Sequence, residues 1–231
     1  LKQAIEVFGP VMSEAFGQTE APASITAKAP WDYLNADGSI NESRLHSIGR
    51  PCVFNRVAIL DEKGVEQPRG ESGEICVRGN LVTPGYYKNP EATAEVREHG
   101  WHHTGDIGVM SEDGYITIVD RKKDMIISGG FNVFPNEVEQ VLTQHPAVQD
   151  CAVIGVPDLK WGESVKAIVQ LKAGAEASSE ELIVLAKQKL GSVKAPKSID
   201  FIADLPRSPV GKVLKTELRK RYWQGQARAV N

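Results

Sequence analysis

The sequence predicts an α+β fold, with a mostly antiparallel, β-rich N-terminal part followed by a small α+β C-terminal domain. Between Val11 and Asp120, short runs alternate apolar and polar residues, as in V-F-N-R-V-A-I-L and Y-I-T-I-V-D, and turn residues separate these runs. After Asp120, apolar strands alternate with amphipathic helices. We therefore expect two domains, residues 1–120 and residues 121–231.

Local signals predict where the helices begin. Pro90, followed by E-A-T-A-E-V-R-E, marks the one clear helix of the first part, because proline suits the first helical position. In the second part, Asn136 is the expected N-cap of E-V-E-Q-V-L-T-Q-H, and Ser178 forms a capping box with Glu181 ahead of the next helix. The predicted order there is strand, helix, two strands, helix, strand, helix.

Composition excludes several classes of protein. The 231 residues are 41% hydrophobic, enough for a sizeable core, and 27 basic against 30 acidic residues indicate neither nucleic-acid nor membrane binding. No apolar run approaches the roughly 20 residues that span a bilayer. Cys52, Cys76 and Cys151 are odd in number and widely spaced, which fits neither a disulfide framework nor the paired spacing of a zinc site. A reducing, cytoplasmic setting is therefore expected.

Four short segments carry residue types suited to nucleotide chemistry. They are F-G-Q-T-E at residues 16–20, H-T-G-D at 103–106, D-R-K-K-D at 120–124 and P-R-S-P-V-G-K at 206–212. Together and in this order they resemble the core motifs of the adenylate-forming enzymes, the superfamily of acyl-CoA synthetases, firefly luciferase and the adenylation domains of peptide synthetases. The resemblance runs through nearly all of the chain, and four ordered motifs are far more specific than one.

The resemblance implies nucleotide-binding roles for the first motif. Phe16 would stack on adenine, Gly17 would be part of the nucleotide-binding segment, and Thr19 would contact the phosphate. Glu20 would bind Mg²⁺, which prefers hard oxygen ligands. Thr19 and Glu20 would also take part in catalysis. The family usually has tyrosine where Phe16 stands, so stacking is kept but any hydroxyl contact is lost.

The second motif places a carboxylate next to two histidines. Asp106 is expected in a tight turn, where the resemblance implies that it accepts hydrogen bonds from the ribose hydroxyls. His102 and His103 suggest a metal site with Asp106, but neighbouring strand residues point to opposite faces and one site cannot easily use both. A structural role for the histidines is favoured.

The resemblance also assigns residues of the second domain. Arg121 would contact the ribose, and Lys123 would be the hinge, which needs only a few residues able to absorb backbone rotation. Gly129 and Gly130 have no side chains, as a narrow tunnel for the pantetheine arm of CoA requires. Their segment, S-G-G-F-N-V-F-P-N-E-V-E, resembles acyl-CoA synthetases, and Trp161 in W-G-E is also familiar from CoA ligases, so CoA is the expected acceptor.

Lys212 is the candidate catalytic residue of the last motif. Pro206, Pro209 and Gly211 restrict or shape its loop. The resemblance implies that its ammonium group neutralises charge that develops between the acyl carboxylate and the α-phosphate during adenylation. The pattern P-x-x-x-x-G-K is also recognised by lysine acetyltransferases that act on bacterial members of the family, so such an enzyme is an expected partner.

The resemblance as a whole implies the C-terminal part of an acyl-CoA synthetase of the fatty-acid type. Such an enzyme converts a carboxylic acid, ATP and CoA to acyl-CoA, AMP and pyrophosphate through an acyl-adenylate. The Ser/Thr/Gly-rich phosphate loop of the family does not occur in these residues, so the chain alone is expected to be inactive without the N-terminal region of its parent. An aryl-CoA ligase or luciferase-like parent remains open.

Two alternatives belong to other functional classes. A stand-alone nucleotide- or CoA-binding module would bind AMP or CoA without turnover, which calorimetry would reveal. An interaction domain would carry the motifs only as relics. The presence of Thr19, Glu20, Asp106, Arg121 and Lys212 disfavours relics, because folding alone does not require that set.

Overall fold

The computed structural model describes residues 1–224 and has the α+β fold that the sequence predicts, with antiparallel sheets and several helices. The chain divides into two compact units, of which the first is Leu1–Val119 and the second begins at Asp120.

The first unit is built mainly of strands. Its elements are α1 (Lys2–Phe8), β1 (Glu14–Gln18), β2 (Ala21–Lys28), a 3-10 turn (Pro30–Tyr33), α2 (Glu42–Leu45), β3 (Arg50–Pro51), β4 (Asn55–Leu60), β5 (Ser72–Gly79), α3 (Pro90–Glu95), β6 (His102–Met110) and β7 (Ile116–Arg121), whose end enters the second unit. Strands β1, β2 and β3 form one antiparallel sheet, and β4, β5, β6 and β7 form another in that order.

Side chains of β4 and β5 alternate between two apolar clusters, as the period of two in a strand requires. The larger cluster contains Val57, Ile59, Ile75 and Val77, together with Ile25, Met110 and Ile116. The smaller cluster contains Ala58, Leu60, Cys76 and Trp101. Apolar side chains therefore lie on both faces of the second sheet, and the middle of β5, residues 74–77, is buried on either face.

The second unit alternates strands and helices. After a 3-10 turn (Lys122–Asp124) come β8 (Ile126–Ser128), β9 (Phe131–Val133), α4 (Pro135–Leu142), β10 (Val148–Asp158), β11 (Gly162–Leu171), α5 (Ser179–Lys194), β12 (Ser198–Phe201) and α6 (Lys215–Lys220). The sheet order is β10, β11, β8, β9, with β12 also beside β11. Strand β12 runs parallel to β11, whereas the other pairs are antiparallel.

Both faces of β10 and β11 are buried. One face packs with α4 and α5 through a cluster that includes Val138, Leu142, Val153 and Leu182. The other face packs with α6 and the segment before it through Ile154, Ile168, Leu205 and Leu218. Among residues 1–224, no helix is long and apolar enough to cross a membrane.

Two of the predicted helix starts are confirmed. Helix α3 begins at Pro90, and the side chain of Asn89 accepts a hydrogen bond from the Ala92 amide at 3.1 Å. Helix α5 follows Ser178, whose Oγ accepts from the Glu181 amide at 3.1 Å. Local sequence therefore determines these two starts.

The predicted N-cap at Asn136 is wrong. Helix α4 begins one residue earlier, at Pro135, and Phe134 occupies the cap position without a side-chain hydrogen bond. The Asn136 amide instead donates to Asp120 Oδ2 at 2.8 Å. A carboxylate 16 residues upstream thus satisfies an amide of the first turn, and proline at the first helical position has no amide hydrogen to satisfy.

Candidate functional site

The segments 16–20 and 103–106, the first two of the four motifs, meet at Gln18. Its Nε2 donates to the backbone carbonyl of Thr104 at 2.7 Å and to Asp106 Oδ2 at 3.3 Å, and its Oε1 lies 3.3 Å from His102 Nε2. Gln18 ends β1 and the other residues belong to β6, in the second sheet. One amide side chain therefore joins two motifs that lie 86 residues apart.

The predicted tight turn at Asp106 is wrong, because T-G-D lies inside β6. The pairing of β6 with β5 shifts register at this point, and Gly105 has a φ of 71°. These features define a β-bulge, which commonly re-aims a side chain. Thr104 Oγ1 donates to the Ile75 carbonyl at 2.7 Å and accepts from the Asp106 amide at 3.1 Å. A buried strand irregularity thus holds Asp106, which is 2% exposed.

Thr19 and Glu20 form the turn between β1 and β2. Thr19 is exposed, whereas Glu20 is half-buried and its Oε1 accepts a hydrogen bond from the Tyr86 hydroxyl at 2.7 Å. This hydrogen bond lowers the pKa of Glu20, so the carboxylate is ionised. An anionic oxygen suits a hard divalent cation such as Mg²⁺. Phe16 and Gly17 are half-buried just before it, and Phe16 packs against the larger apolar cluster.

Tyr86 gives a first test of this arrangement. We expect Tyr86→Phe to raise the pKa of Glu20 toward its ordinary value, because the hydroxyl that stabilises the carboxylate is lost. Carboxyl NMR titration of the 231-residue chain would measure the shift. Tyr87→Phe is the matched control, since Tyr87 is 87% exposed. An unchanged Glu20 pKa in Tyr86→Phe would contradict the assignment.

The two histidines lie on opposite faces of β6. His102 contacts Gln18, is 3% exposed, and has a pKa that burial lowers. His103 faces β5 instead, where its Nδ1 lies 2.8 Å from Glu74 Oε2 and 3.4 Å from Cys76 Sγ. The structure thus separates His103 from Asp106. It also brings Glu74 and Cys76 together with His103, a grouping that no sequence motif predicts.

Lys212 lies in a closed loop between β12 and α6. Its carbonyl accepts from the Ser208 amide at 2.8 Å, and its own amide donates to Ser208 Oγ at 3.1 Å. Gly211 precedes it with a φ of 83°, a conformation that other residues rarely adopt. Arg207 Nη1 donates to the Gly211 carbonyl at 2.9 Å and the guanidinium also pairs with Asp150 of β10. The backbone is fixed while the Lys212 side chain is exposed.

Buried charges lie on α6 just after this loop. Lys215 Nζ is 2.7 Å from Glu139 Oε1, an atom that also accepts from the Val153 amide at 2.7 Å. Burial raises the pKa of Glu139 and of Asp120, and the charge of Lys215 opposes both shifts. Lys215 is therefore the counter-charge for two buried carboxyl groups.

The predicted hinge segment also contacts α6. Arg121 and Lys123 are exposed, at the end of β7 and in the 3-10 turn that follows. Asp124 of the same turn pairs with Arg219 of α6. Burial works to raise the pKa of Asp124, but the hydrogen bond and charge of Arg219, together with the charges of Lys215 and Lys123, lower the pKa overall. The turn is thus attached to the helix that follows Lys212.

Gly129 and Trp161, two of the predicted CoA-binding residues, lie against each other. The Gly129 amide donates to the Trp161 carbonyl at 2.9 Å, and a Cβ on Gly129 would lie 2.5 Å from the indole ring. Gly129 and Gly130 have φ values of 58° and 82°, so glycine is required by conformation and, at Gly129, by space. Trp161 is 44% exposed, and Lys160 Nζ lies 4.6 Å from its ring centroid.

Two family models match this chain. Residues 1–87 match the family model of the AMP-binding enzymes, and residues 137–212 match that of the AMP-binding enzyme C-terminal domain. The two models together cover more than half of the chain. The chain therefore belongs to the adenylate-forming superfamily, in the branch whose members include acyl-CoA ligases.

Known proteins of this family are similar over almost the whole chain. Medium/long-chain-fatty-acid–CoA ligase FadD8 of Mycobacterium tuberculosis is 47% identical over 100% of this chain and 40% of its own length. Feruloyl-CoA synthase of an Amycolatopsis species is 43% identical over 90% of this chain and 41% of its own length.

Solved structures of the family share the fold. The amide bond synthetase McbA from Marinactinospora thermotolerans has a TM-score of 0.80 and 39% sequence identity, over 95% of this chain and 44% of its own. The chain thus spans about two fifths of the length of the relatives that it matches.

Proposed function

We propose that the chain is the C-terminal portion of an AMP-forming acid–CoA ligase. The parent would form an acyl-adenylate and pyrophosphate from a carboxylic acid and ATP, and would then transfer the acyl group to the thiol of CoA. The observation that carries this proposal is the contact of Gln18 with Thr104 and Asp106, which unites two nucleotide motifs in one cluster.

The proposed roles in binding and catalysis differ between the residues of the two units. In the first unit, Phe16 would stack on adenine, with Gly17 beside it in the nucleotide-binding segment. Thr19 would contact the phosphate and Asp106 the ribose. Glu20 would hold Mg²⁺, and its half-buried, ionised carboxylate fits that ion. The ion would supply positive charge to the triphosphate. These contacts hold the nucleotide, which lowers the entropic barrier to attack by the acid.

In the second unit, Arg121 would add a ribose contact and Lys212 would stabilise the charge of the adenylation transition state. Gly129, Gly130 and Trp161 would line the path of CoA. A hinge near Lys123, between residues 1–120 and 121–231, would let one site serve two chemical steps in turn.

The relatives support a fatty acid as the substrate, with an aromatic acid as the alternative. The test is made on the full-length parent, with ATP, CoA and a panel of medium-chain, long-chain and hydroxycinnamic acids. We expect acyl-CoA, AMP and pyrophosphate, with fatty acids preferred. Formation of ADP, or the absence of acid-dependent ATP–pyrophosphate exchange, would overturn the proposal, and preference for aromatic acids would select the alternative. The 231 residues alone are expected to form no acyl-CoA.

A cytoplasmic setting and regulation by acetylation belong to the same proposal. Lys212 is exposed on a loop, as a modifying enzyme requires, and acetylation would remove the charge that adenylation uses. We expect native protein to carry acetyl-Lys212 in a fraction that varies with carbon supply. Quantitative mass spectrometry would measure that fraction, with Lys189 on α5 as the exposed comparison site. Lys212 that stays unmodified under every condition would count against this regulation.

A further inference from the structure

We propose that Glu74, Cys76 and His103 form a binding site for a thiophilic divalent cation, with Zn²⁺ as the best fit. The site lies between β5 and β6, on the face of the second sheet away from the larger apolar cluster. It is separate from the residues assigned to nucleotide and CoA.

The three side chains meet because of strand geometry. Glu74 and Cys76 are two residues apart on β5, so they point to the same face. Cys76 is the direct partner of His103 across the antiparallel pair. A sheet therefore places three ligand types side by side, although the chain separates them by up to 29 residues.

The atoms that face one another are those that bind zinc. His103 Nδ1 lies 2.8 Å from Glu74 Oε2 and 3.4 Å from Cys76 Sγ, and the candidate ligand atoms all lie within 4.8 Å of one another. Tetrahedral zinc with ordinary bond lengths separates its ligand atoms by roughly 3.3–3.6 Å. The separation of His103 Nδ1 from Cys76 Sγ already lies in that range, and its separation from Glu74 Oε2 would have to widen by roughly 0.5 Å.

The other polar atoms of the histidine and the carboxylate are already held. His103 Nε2 lies 3.3 Å from the Glu98 carbonyl, and Glu74 Oε1 accepts from the Gly105 amide at 3.0 Å. Such outer contacts orient metal ligands and are typical of built metal sites. The amide of Gly105, in the bulge of β6, makes one of these contacts. The bulge therefore helps to hold Glu74 as well as Asp106.

The same geometry excludes a catalytic triad of cysteine, histidine and glutamate. In a triad, the nucleophile and the carboxylate contact different ring nitrogens of the histidine. Here both contact Nδ1, while Nε2 faces a backbone carbonyl. Cys76 is 0% exposed, so no substrate could reach its sulfur. The partly exposed ring of His103 is a sufficient entry for an ion.

Ligand chemistry selects the metal. A thiolate and an imidazole favour zinc over magnesium or calcium, which prefer oxygen, and three protein ligands leave a fourth position for water. Bound zinc would join β5 to β6 beside the bulge that holds Asp106. The inference concerns the binding of the ion and does not depend on the proposed reaction.

The experiment uses the 231-residue chain, stripped with a chelator and kept reduced. Zinc affinity is measured by competition with a chromophoric chelator, and Co²⁺ serves as a spectroscopic probe. We expect one ion per chain, and a thiolate-to-cobalt charge-transfer band. Cys76→Ser and His103→Gln should each weaken zinc binding about tenfold or more.

Two controls make the test specific. Cys52→Ser should change nothing, because Cys52 is a free thiol elsewhere in the first unit. His99→Gln should also bind normally, although its ring centroid is 6.3 Å from that of His103. If His99→Gln loses zinc while Cys76→Ser keeps it, the ion binds at the surface and the proposal is overturned. If Cys76→Ser does not fold, the test uses the zinc affinity of Glu74→Gln, which should be weakened, and the cobalt spectrum of the unmodified chain. A cobalt spectrum without the charge-transfer band overturns the proposed site.

Discussion

Replacement of Lys212 by alanine in the full-length parent is expected to slow adenylation by roughly 10²- to 10³-fold, the usual loss when one preorganised electrostatic group is removed. The ammonium group would act on charge that exists only in the transition state, so the maximal rate should fall more than the affinity for ATP. The measurement is acid-dependent ATP–pyrophosphate exchange. The effect rests on the proposed function.

The Lys212→Ala substitution should leave the conformation of the loop unchanged. The Lys212 side chain is exposed, and the loop is held by backbone contacts to Ser208 and by Arg207, all of which alanine preserves. Lys189→Ala, on the exposed surface of α5, is the matched control and should exchange pyrophosphate normally. Transfer of the acyl group from synthetic acyl-adenylate to CoA should also stay near the wild-type rate. Wild-type exchange by Lys212→Ala would refute the catalytic assignment.

Replacement of Lys215 by methionine is expected to lower the free energy of unfolding of the second unit by roughly 3 kcal/mol at neutral pH, because it leaves buried carboxyl groups without their counter-charge. The side chains of Lys215 and Glu139 are 16% and 18% exposed, so solvent screens the pair little. Urea unfolding followed by hydrogen exchange of the β10 and β11 amides would measure the loss.

The loss should depend on pH in a definite direction. Burial raises the pKa of Glu139 and of Asp120, and removal of Lys215 should raise both further. The folded state then binds protons more tightly than the unfolded chain, so stability falls as pH rises from the unfolded pKa through the folded pKa. The effect of Lys215→Met should therefore be small near pH 4, about the unfolded value, and complete at neutral pH.

An exposed ion pair on the same helix provides the control. Lys220 pairs with Glu217 at 2.6 Å, but their side chains are 68% and 49% exposed. Lys220→Met should therefore change stability little at any pH. Equal effects of the two substitutions, or an effect of Lys215→Met that grows toward acid, would show that Lys215 does not neutralise buried carboxylates.

The sequence predicts features that depend on near neighbours. Pro90 and Ser178 start helices where expected, because a fixed φ and a cap hydroxyl act within one turn. The alternation of strands and helices likewise predicts the α+β class. Asn136 fails as a cap because its amide bonds to Asp120, a tertiary contact that no local pattern reveals.

The candidate sites also depend on tertiary contacts that local sequence patterns do not predict. The motifs predict Glu20 and Asp106 as site residues. They do not predict the contacts of Gln18 and Tyr86, because Gln18 reaches Asp106 only where β1 meets β6, and the Tyr86 hydroxyl reaches Glu20 only in the folded chain. The sequence of one strand alone does not determine its position relative to a strand that lies far away along the chain. The only sequence signal for the cation site is the spacing of Glu74 and Cys76 by two residues within a strand.

The two faces of β6 have a consequence for how this protein can evolve. His102 and Asp106 contact Gln18 on one side, and His103 contacts Glu74 and Cys76 on the other. Insertion or deletion of a single residue would exchange the two faces and disrupt both sets of contacts at once. Related genes should therefore tolerate amino-acid replacements along β6 more readily than any change in its length.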